Sequence, residues 1–500
     1  LLKSHADIKF VYVQWLDYMA TIRTRILPIK EFDRMIREGG RISISQGNIG
    51  TLQNDTVTAI VNPVGQICIQ PDLQSLRPTH KKDPLPAATV LSSWRDATGL
   101  PLPQCPRSNL ITLLNDLQFN HGITLTCGFE IEVTFLKRNP PGSSTDPYAP
   151  LTHTHAWGTL TPEDWLHLPL LADIATSLSS MGIDLQQFHS ESGPGQYEFV
   201  LAPKPALEAI DALIQARQVI SQIAALYDLR ATLHPQPFPG TSGAGTAAHA
   251  HVSLSPPDRE LDFFVGGVLP HLPAICAFTM PETSSYSRVS DDAWTGGSWV
   301  AWGTQNRETP LRKVERGHWE VRCVDGFANM YFAVAAIAAA GIRGLMAGTP
   351  SVPVPGPGLS PPTVPLGPPL QAAPAGLDAS SPPPHPPSGV PQEQSYGPNV
   401  VSPQAAYYNR THDEGNPYPH KDCTINPSQL TPEQRLTYGI ARKLPRSIDE
   451  ALGALDADTE LRSQLGETWV HNFMIMKRSE LEMLSKMGET ERMVWLVERY

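Results

Sequence analysis

Between Cys127 and Leu136 apolar and polar residues alternate without a break. Phe129, Ile131, Val133 and Phe135 share one parity, and Glu130, Glu132 and Thr134 the other, the pattern of a β-strand with one face in a core. Such a strand rises about 3.3 Å per residue, so the two carboxylates stand roughly 6–7 Å apart on the same side. Like charges held that close repel unless a cation lies between or beside them. A chain carrying this segment must build a sheet around it and bring positive charge to its acidic face.

Three other segments repeat the design. His189–Glu198 carries Glu191 and Glu198, with a turn at Gly193-Pro194-Gly195, and sets Gln196 and Glu198 opposite Tyr197 and Phe199. Ala248–Leu254 sets His249, His251 and Ser253 opposite Ala248, Ala250, Val252 and Leu254. His318–Cys323 sets His318, Glu320 and Arg322 opposite Trp319, Val321 and Cys323. Each alone reads equally well as an antiparallel strand with a solvated outer face. Solvated faces carry Lys and Thr, whereas these four carry Glu, His and Arg. The pooled set Glu130, Glu132, Glu191, Glu198, His249 and Glu320 is mostly carboxylate with one imidazole. That suits two hard divalent cations, Mg²⁺ or Mn²⁺, whereas zinc favours more His or Cys. Paired cations fit phosphoryl transfer. Arg307, Arg312 and Arg322 add planar cations for phosphate and carboxylate groups. No Gly-x-x-x-x-Gly-Lys-Ser/Thr is present, and the glycine-rich run Gly240–Gly245 is a weak signal by itself.

The net charge of −11 and the lack of a Lys/Arg stripe exclude a nucleic-acid partner. The six scattered cysteines form no C-x-x-C, and no apolar leader is visible, so reduced thiols and a cytoplasmic location are expected. The longest apolar run, Tyr331–Ile342, is short of the roughly 20 residues a bilayer requires and predicts a buried, alanine-rich helix rather than a membrane partner.

Residues 8–70 read as a β-rich unit, with strands at Ile8–Val13, Ile22–Ile29, Val57–Val61 and Ile67–Gln70 and a helix at Lys30–Glu38. Pro101, Pro103 and Pro106 mark a linker, which gives an N-terminal domain over 1–104 and a catalytic domain over 105–500. Ala206–Leu229 has helical periodicity. Proline fills 16 of the 42 positions from 350 to 391, and a disordered insertion is expected over 350–403. Capping signals at Thr431–Gln434 and Ser447–Glu450 start two helices beyond it.

Several of these motifs resemble the glutamine synthetase family: Gly128-Phe-Glu130-Ile-Glu132, His189-Ser-Glu191 with Gly195-Gln-Tyr-Glu198, Ala248-His249-Ala-His251-Val-Ser253, Ser285-Tyr-Ser-Arg288, Asn306-Arg307-x4-Arg312, and Glu320-Val-Arg322 with Asp325 and Asn329. Their order and spacing fit across nearly the whole chain. Trp302–Lys313, Lys421-Asp-Cys423 and Leu444-Pro-Arg-Ser447 resemble fungal FluG-type modules of that family. The resemblance implies an α+β fold: a β-grasp N-terminal domain and a catalytic domain with a curved, mainly antiparallel sheet flanked by helices, in a homo-oligomeric ring. It implies ATP, glutamate or a related acid, and ammonium or another amine as partners. It implies one Mg²⁺ or Mn²⁺ on Glu132, Glu191 and Glu198 and another on Glu130, His249 and Glu320. His251, Ser253 and Arg312 would contact nucleotide phosphates. Gly245, Arg288, Arg307 and Arg322 would contact the acid substrate, the three arginines also acting in catalysis.

The acceptor side departs from the family. Trp294 stands where the flap glutamate belongs, and Ser43–Gly50 holds no aspartate. Ala244 replaces an asparagine, His318 an arginine, and Glu315 a frequent lysine. Three functions follow: a glutamate–ammonia ligase, a ligase making γ-glutamyl amides of another amine, and a non-catalytic regulatory protein on the same scaffold.

Overall fold

The computed structural model describes residues 7–140, 142, 146–153, 156–238, 245–256, 259–347 and 420–500. The expected insertion over 350–403, Ala244 and most of the run Gly240–Gly245 lie outside them. The fold mixes α and β: an N-terminal curled sheet precedes a large mixed sheet with helices.

The N-terminal sheet has six strands: β1 (Phe10–Leu16), β2 (Ile22–Pro28), β3 (Ile42–Ser45), β4 (Gln66–Pro71), β5 (Arg77–Pro78) and β6 (Ala87–Arg95). The order is β2-β1-β6-β4-β3, with β5 on β6, and only β1 and β6 run parallel. The helix expected at Lys30–Glu38 spans Ile29–Arg37 and buries Phe32 and Met35. The strand expected at Val57–Val61 does not form. Val57 makes one bridge to Thr51, and the segment turns back through Thr58, whose N–H and hydroxyl both bond the Gly50 carbonyl.

The second sheet is organised by β7 (Thr124–Arg138), a 15-residue strand that contains the alternating segment. Around it lie β8 (Tyr148–Pro150), β9 (Leu185–Ser190), β10 (Gln196–Leu201), β11 (Lys204–Pro205), β12 (Leu229–Thr232), β13 (Ala250–Ser255), β14 (Trp302–Thr304), β15 (Leu311–Glu315) and β16 (His318–Val321). The order is β14-β15-β16-β13-β7-β10-β9, with β8, β11 and β12 also on β7. All pairings are antiparallel except β14 with β15. The four charge-bearing segments are thus neighbours.

The helix begun at Ala206 ends at Leu226, short of Leu229, because Asp228 turns left-handed (φ 57°) and Leu229 enters β12. Thr431 and Gln434 form a full capping box. At Ser447 half of it forms: the hydroxyl takes the Glu450 N–H, but the Glu450 carboxylate takes the Arg446 N–H.

The helix Met330–Ala347 contains the alanine-rich run and is buried along nearly all its length. Phe332 stacks on Trp469 at 4.7 Å between ring centroids and meets Tyr18 of the N-terminal region at 5.3 Å. Buried Arg107 joins the regions through Asp211 (2.7 Å) and Asp72 (2.8 Å). Against Met330–Ala347 lies the helix Arg259–Thr279, which crosses it so closely that a Cβ on Gly267 would stand 2.2 Å from the Ala340 carbonyl and 2.6 Å from the Gly344 nitrogen. Replacing a helical glycine by alanine gains up to about 1 kcal/mol of propensity, but overpacking costs about 1–3 kcal/mol, and backbone atoms cannot rotate away. Gly267→Ala is therefore expected to lower unfolding free energy by about 1–2 kcal/mol in denaturant titration. An unchanged midpoint would contradict this helix contact.

Candidate active site

The pairing register brings the acidic residues of different strands together. Glu198 faces Glu132 across β10 and β7, and Glu320 faces His251 across β16 and β13. Upstream of β13 the chain continues beside β7, where the Glu130 N–H bonds the His249 carbonyl and the Glu132 N–H bonds that of Ala247. Glu132, Glu198, His249 and Glu320 are all buried, Glu320 to 1% exposure. This is not a solvated face, and the bland reading of these strands fails on that point.

His249 Nδ1 lies 2.7 Å from Glu130 and 3.3 Å from Glu320. Its Nε2 is buried and has no partner among the described residues. Burial first, and then the neighbouring Arg322 charge, hold this imidazole below its ordinary pKa. Nδ1 is thus the ring nitrogen that faces the carboxylates, with Glu132 at 3.9 Å as well, and in a neutral ring protonated on Nε2 its lone pair is the one a cation among them would use. Glu132 is pushed well above the usual carboxylate range by burial and then by repulsion from Glu198 and Glu191. It still accepts hydrogen bonds from Gln196 Nε2 (2.9 Å) and the Ala247 N–H (2.8 Å). A buried carboxylate group of this density together with an imidazole lone pair fits a divalent cation. Three sets have ligand atoms within 4.8 Å of one another: Glu130, His251 and Glu320; Glu130, Glu132 and His249; and His189, Glu191 and Glu198.

These sets differ in grouping from the sequence-derived pairs. Glu130, His249 and Glu320 do meet. Glu191 and Glu198 cluster with His189, which sequence reasoning left out although its parity with Glu191 gave a signal. His189 Nε2 is 3.3 Å from Glu198, and that bond, more than burial opposes it, raises the imidazole to about 9. Gln196, which parity sets on the face of Glu198, bonds Glu132 through its amide nitrogen, while its oxygen takes the Gly193 N–H at 2.8 Å.

The residues expected on the nucleotide lie along the same sheet. His251 sits between Glu130 (2.9 Å) and His318 (2.7 Å). Burial opposes its charge, but the Glu130 bond and the Glu130 and Glu320 charges outweigh it, so its pKa is raised. Arg312 donates to Glu320 at 2.8 Å and to Gln305 at 2.5 Å. Ser253 lies further along β13, opposite Thr126. Glu315 is exposed, 3.8 Å from His318.

Arg322 donates to Glu320 and to the Trp294 carbonyl, and its buried Nε has no partner among the described residues. Arg288 is buried and reaches the carbonyls of Arg322 (3.3 Å) and Val324 (3.4 Å). Gly245 lies against it: a Cβ there would come within 2.7 Å of Arg288 Cγ and 2.2 Å of the Pro235 carbonyl. Arg307 is exposed. The Trp294 indole points away from the buried cluster. It is 73% exposed, while its backbone N–H and carbonyl are held by Glu308 and Arg322. Ser43–Gly50 forms β3 and a short 3₁₀ turn without an acid.

A family model described as the glutamine synthetase catalytic domain matches residues 103–354 and 414–495. The chain belongs to the glutamine synthetase family. Among relatives, protein fluG of Emericella nidulans is 40% identical over 500 residues, all of this chain and 50% of fluG, so the chain spans half of that relative. The gamma-glutamylpolyamine synthetase GlnA3 of Streptomyces coelicolor is 29% identical over 311 residues, 58% of this chain and 65% of GlnA3. The solved GmaS/ADP complex superposes with a TM-score of 0.71 over 99% of this chain and 98% of that one, at 20% identity, a likeness of fold.

The raised carboxylate of Glu132 gives this site a pH signature. A group with an elevated folded pKa keeps its proton as pH rises, and a cation must displace that proton to bind. The stabilisation given by Mg²⁺ or Mn²⁺ should therefore grow as pH rises above the ordinary carboxylate range. Thermal unfolding with and without cation measures it, and a cation-induced shift in Tm that ignores pH would contradict the site.

Proposed function

We propose that this protein is an ATP-dependent carboxylate–amine ligase of the glutamine synthetase type, acting through an acyl phosphate. The observation that carries the reading is the convergence of Glu130, Glu132, Glu198, His249 and Glu320 with Arg312 and Arg322 in one buried site. Glu132, Glu191 and Glu198, with His189 beside them, would hold one Mg²⁺ or Mn²⁺, and Glu130, His249 and Glu320 the other. Bound there, two divalent cations supply charge neutralisation at phosphate oxygens.

The chain's own residues do the rest. His251, Ser253 and Arg312 face the nucleotide phosphates. Arg322 and Arg288 orient the acid substrate and balance charge on the transferring group, Gly245 lets the backbone pack directly against Arg288, and Arg307 adds an exposed cation. A substrate carboxylate oxygen bonds to the γ-phosphorus as the bridge to ADP breaks. An amine nitrogen then bonds to the acyl carbon, phosphate leaves with the electron pair of the C–O bond, and the nitrogen sheds a proton. Preorganised arginines lower both barriers electrostatically, the largest contribution in such sites.

Glutamate with ammonium is the family's default pair. The missing acid in Ser43–Gly50 and tryptophan at 294 favour a larger amine, in keeping with a relative named for γ-glutamylpolyamine synthesis. A regulatory protein without catalysis would have no need of a buried cation-ready cluster. On the same footing we place the enzyme in the cytoplasm, as a homo-oligomeric ring with a β-grasp N-terminal domain.

Phosphate release from ATP with Mg²⁺ and glutamate, tested with ammonium and then an amine panel, is expected to be faster with a larger amine than with ammonium. Glu132→Ala is expected to reduce it to background. Full activity of that variant, or no ATP turnover and no cation binding by the unaltered chain, would overturn the ligase reading.

A further inference from the structure

The loop that carries Trp294 has an unusual backbone. Asp292 (φ 62°), Trp294 (φ 57°), Gly296 (φ 98°) and Gly297 (φ 61°) are all left-handed, a conformation that residues with a side chain rarely adopt. Something must hold the two non-glycine residues there. The Asp292 N–H and the Trp294 N–H donate to the two oxygens of one carboxylate, Glu308, at 3.1 and 2.7 Å. Glu308 is buried. On the other side of the loop, the Trp294 carbonyl accepts from Arg322 Nη2 at 2.7 Å.

Glu308 is itself fixed. Its N–H donates to Asn306 Oδ1 at 2.9 Å, and Asn306 Nδ2 donates to the carbonyls of Cys423 (2.6 Å) and Ile425 (3.1 Å). The next residues of that segment return to the loop, where Asn426 and Gln429 donate to the Asp292 carboxylate at 2.6 and 3.2 Å. The loop, the 306–308 turn and the 423–429 segment form a closed ring of hydrogen bonds. Arg322 joins it through the Trp294 carbonyl.

We propose that Glu308 is a positioning residue: it fixes the 291–297 loop across Arg322, so that the wall on the acceptor side stands prebuilt with its indole turned outward. One carboxylate satisfies both awkward N–H groups, and the loop's carbonyl in turn orients Arg322. The kinetic consequence rests on the ligase reading, and the structural consequence does not.

Hydrogen exchange of the full chain reads the structural arm. In Glu308→Ala the peptide covering 290–299 should exchange at least about tenfold faster, with the strands β7, β10 and β13 unchanged. Glu308→Gln keeps one acceptor oxygen and should lie between the two. Kinetics read the other arm: KM for the amine should rise about tenfold in Glu308→Ala while KM for ATP stays within about twofold. Unchanged exchange in 290–299 overturns the assignment, and so does an equal rise in both KM values with faster exchange throughout, which marks general loss of structure. If the unaltered chain turns over no amine, the ligase reading falls, and the exchange comparison still decides the role of Glu308.

Discussion

The structure turns on a conflict of like charge. β7 holds Glu130 and Glu132 on one face, and the register sets Glu198 against Glu132 from the neighbouring strand. For cross-strand partners about 5 Å apart, two unit charges repel by about 3 kcal/mol at an effective dielectric near 20. Several such pairs cannot all stay ionised in a buried place. The sheet answers by supplying positive charge in the same plane: Arg312 from β15, Arg322 just beyond β16, His251 from β13 and His189 from β9. Even so Glu132 is left with its pKa raised, so a proton or a bound cation has to offset the remaining repulsion. The sheet order, with β16, β13, β7 and β10 as neighbours, is what puts every participant within reach of the conflict.

Much of this was legible in the chain because strands have a period of two. The parity of Glu130 with Glu132, of His249 with His251, and of Glu320 with Arg322 sets each pair on one face before any pairing is known. The same rule would have added His189, two residues before Glu191. Parity does not say which strands are neighbours, so the grouping of ligands could not be read from it, and Glu132 came to lie with Glu130 and His249 as well as near Glu198. Long periodic elements, such as the helices over 206–226 and 330–347, were also readable, apart from their ends.

Short-range signals failed where a turn won over propensity. Val57–Val61 has β-branched residues at both ends, but Gly50 and Thr58 close a loop there instead. At Ser447 the box spacing is right, yet Glu450 finds the Arg446 N–H first. Glu308 left no trace in the sequence at all. Its partners are backbone N–H groups 14 and 16 positions away, and backbone donors carry no residue identity to recognise.

That contrast separates the two halves of the site physically. The clustered Glu, His and Arg side chains sit on or beside paired strands, whose ladder fixes them with little freedom, so a change there breaks several contacts together. The 291–297 loop beside them has no ladder, and its backbone is held by side chains one contact at a time. Loops of that kind tolerate replacement more readily than the scaffold that carries them. Trp294 in this loop therefore leaves the buried cluster intact, and the loop backbone is held by a carboxylate of its own. Glu308 is where the structure puts it. The carboxylate of Glu308 and the guanidinium of Arg322 hold the backbone around residue 294 from two sides, and the indole is left exposed.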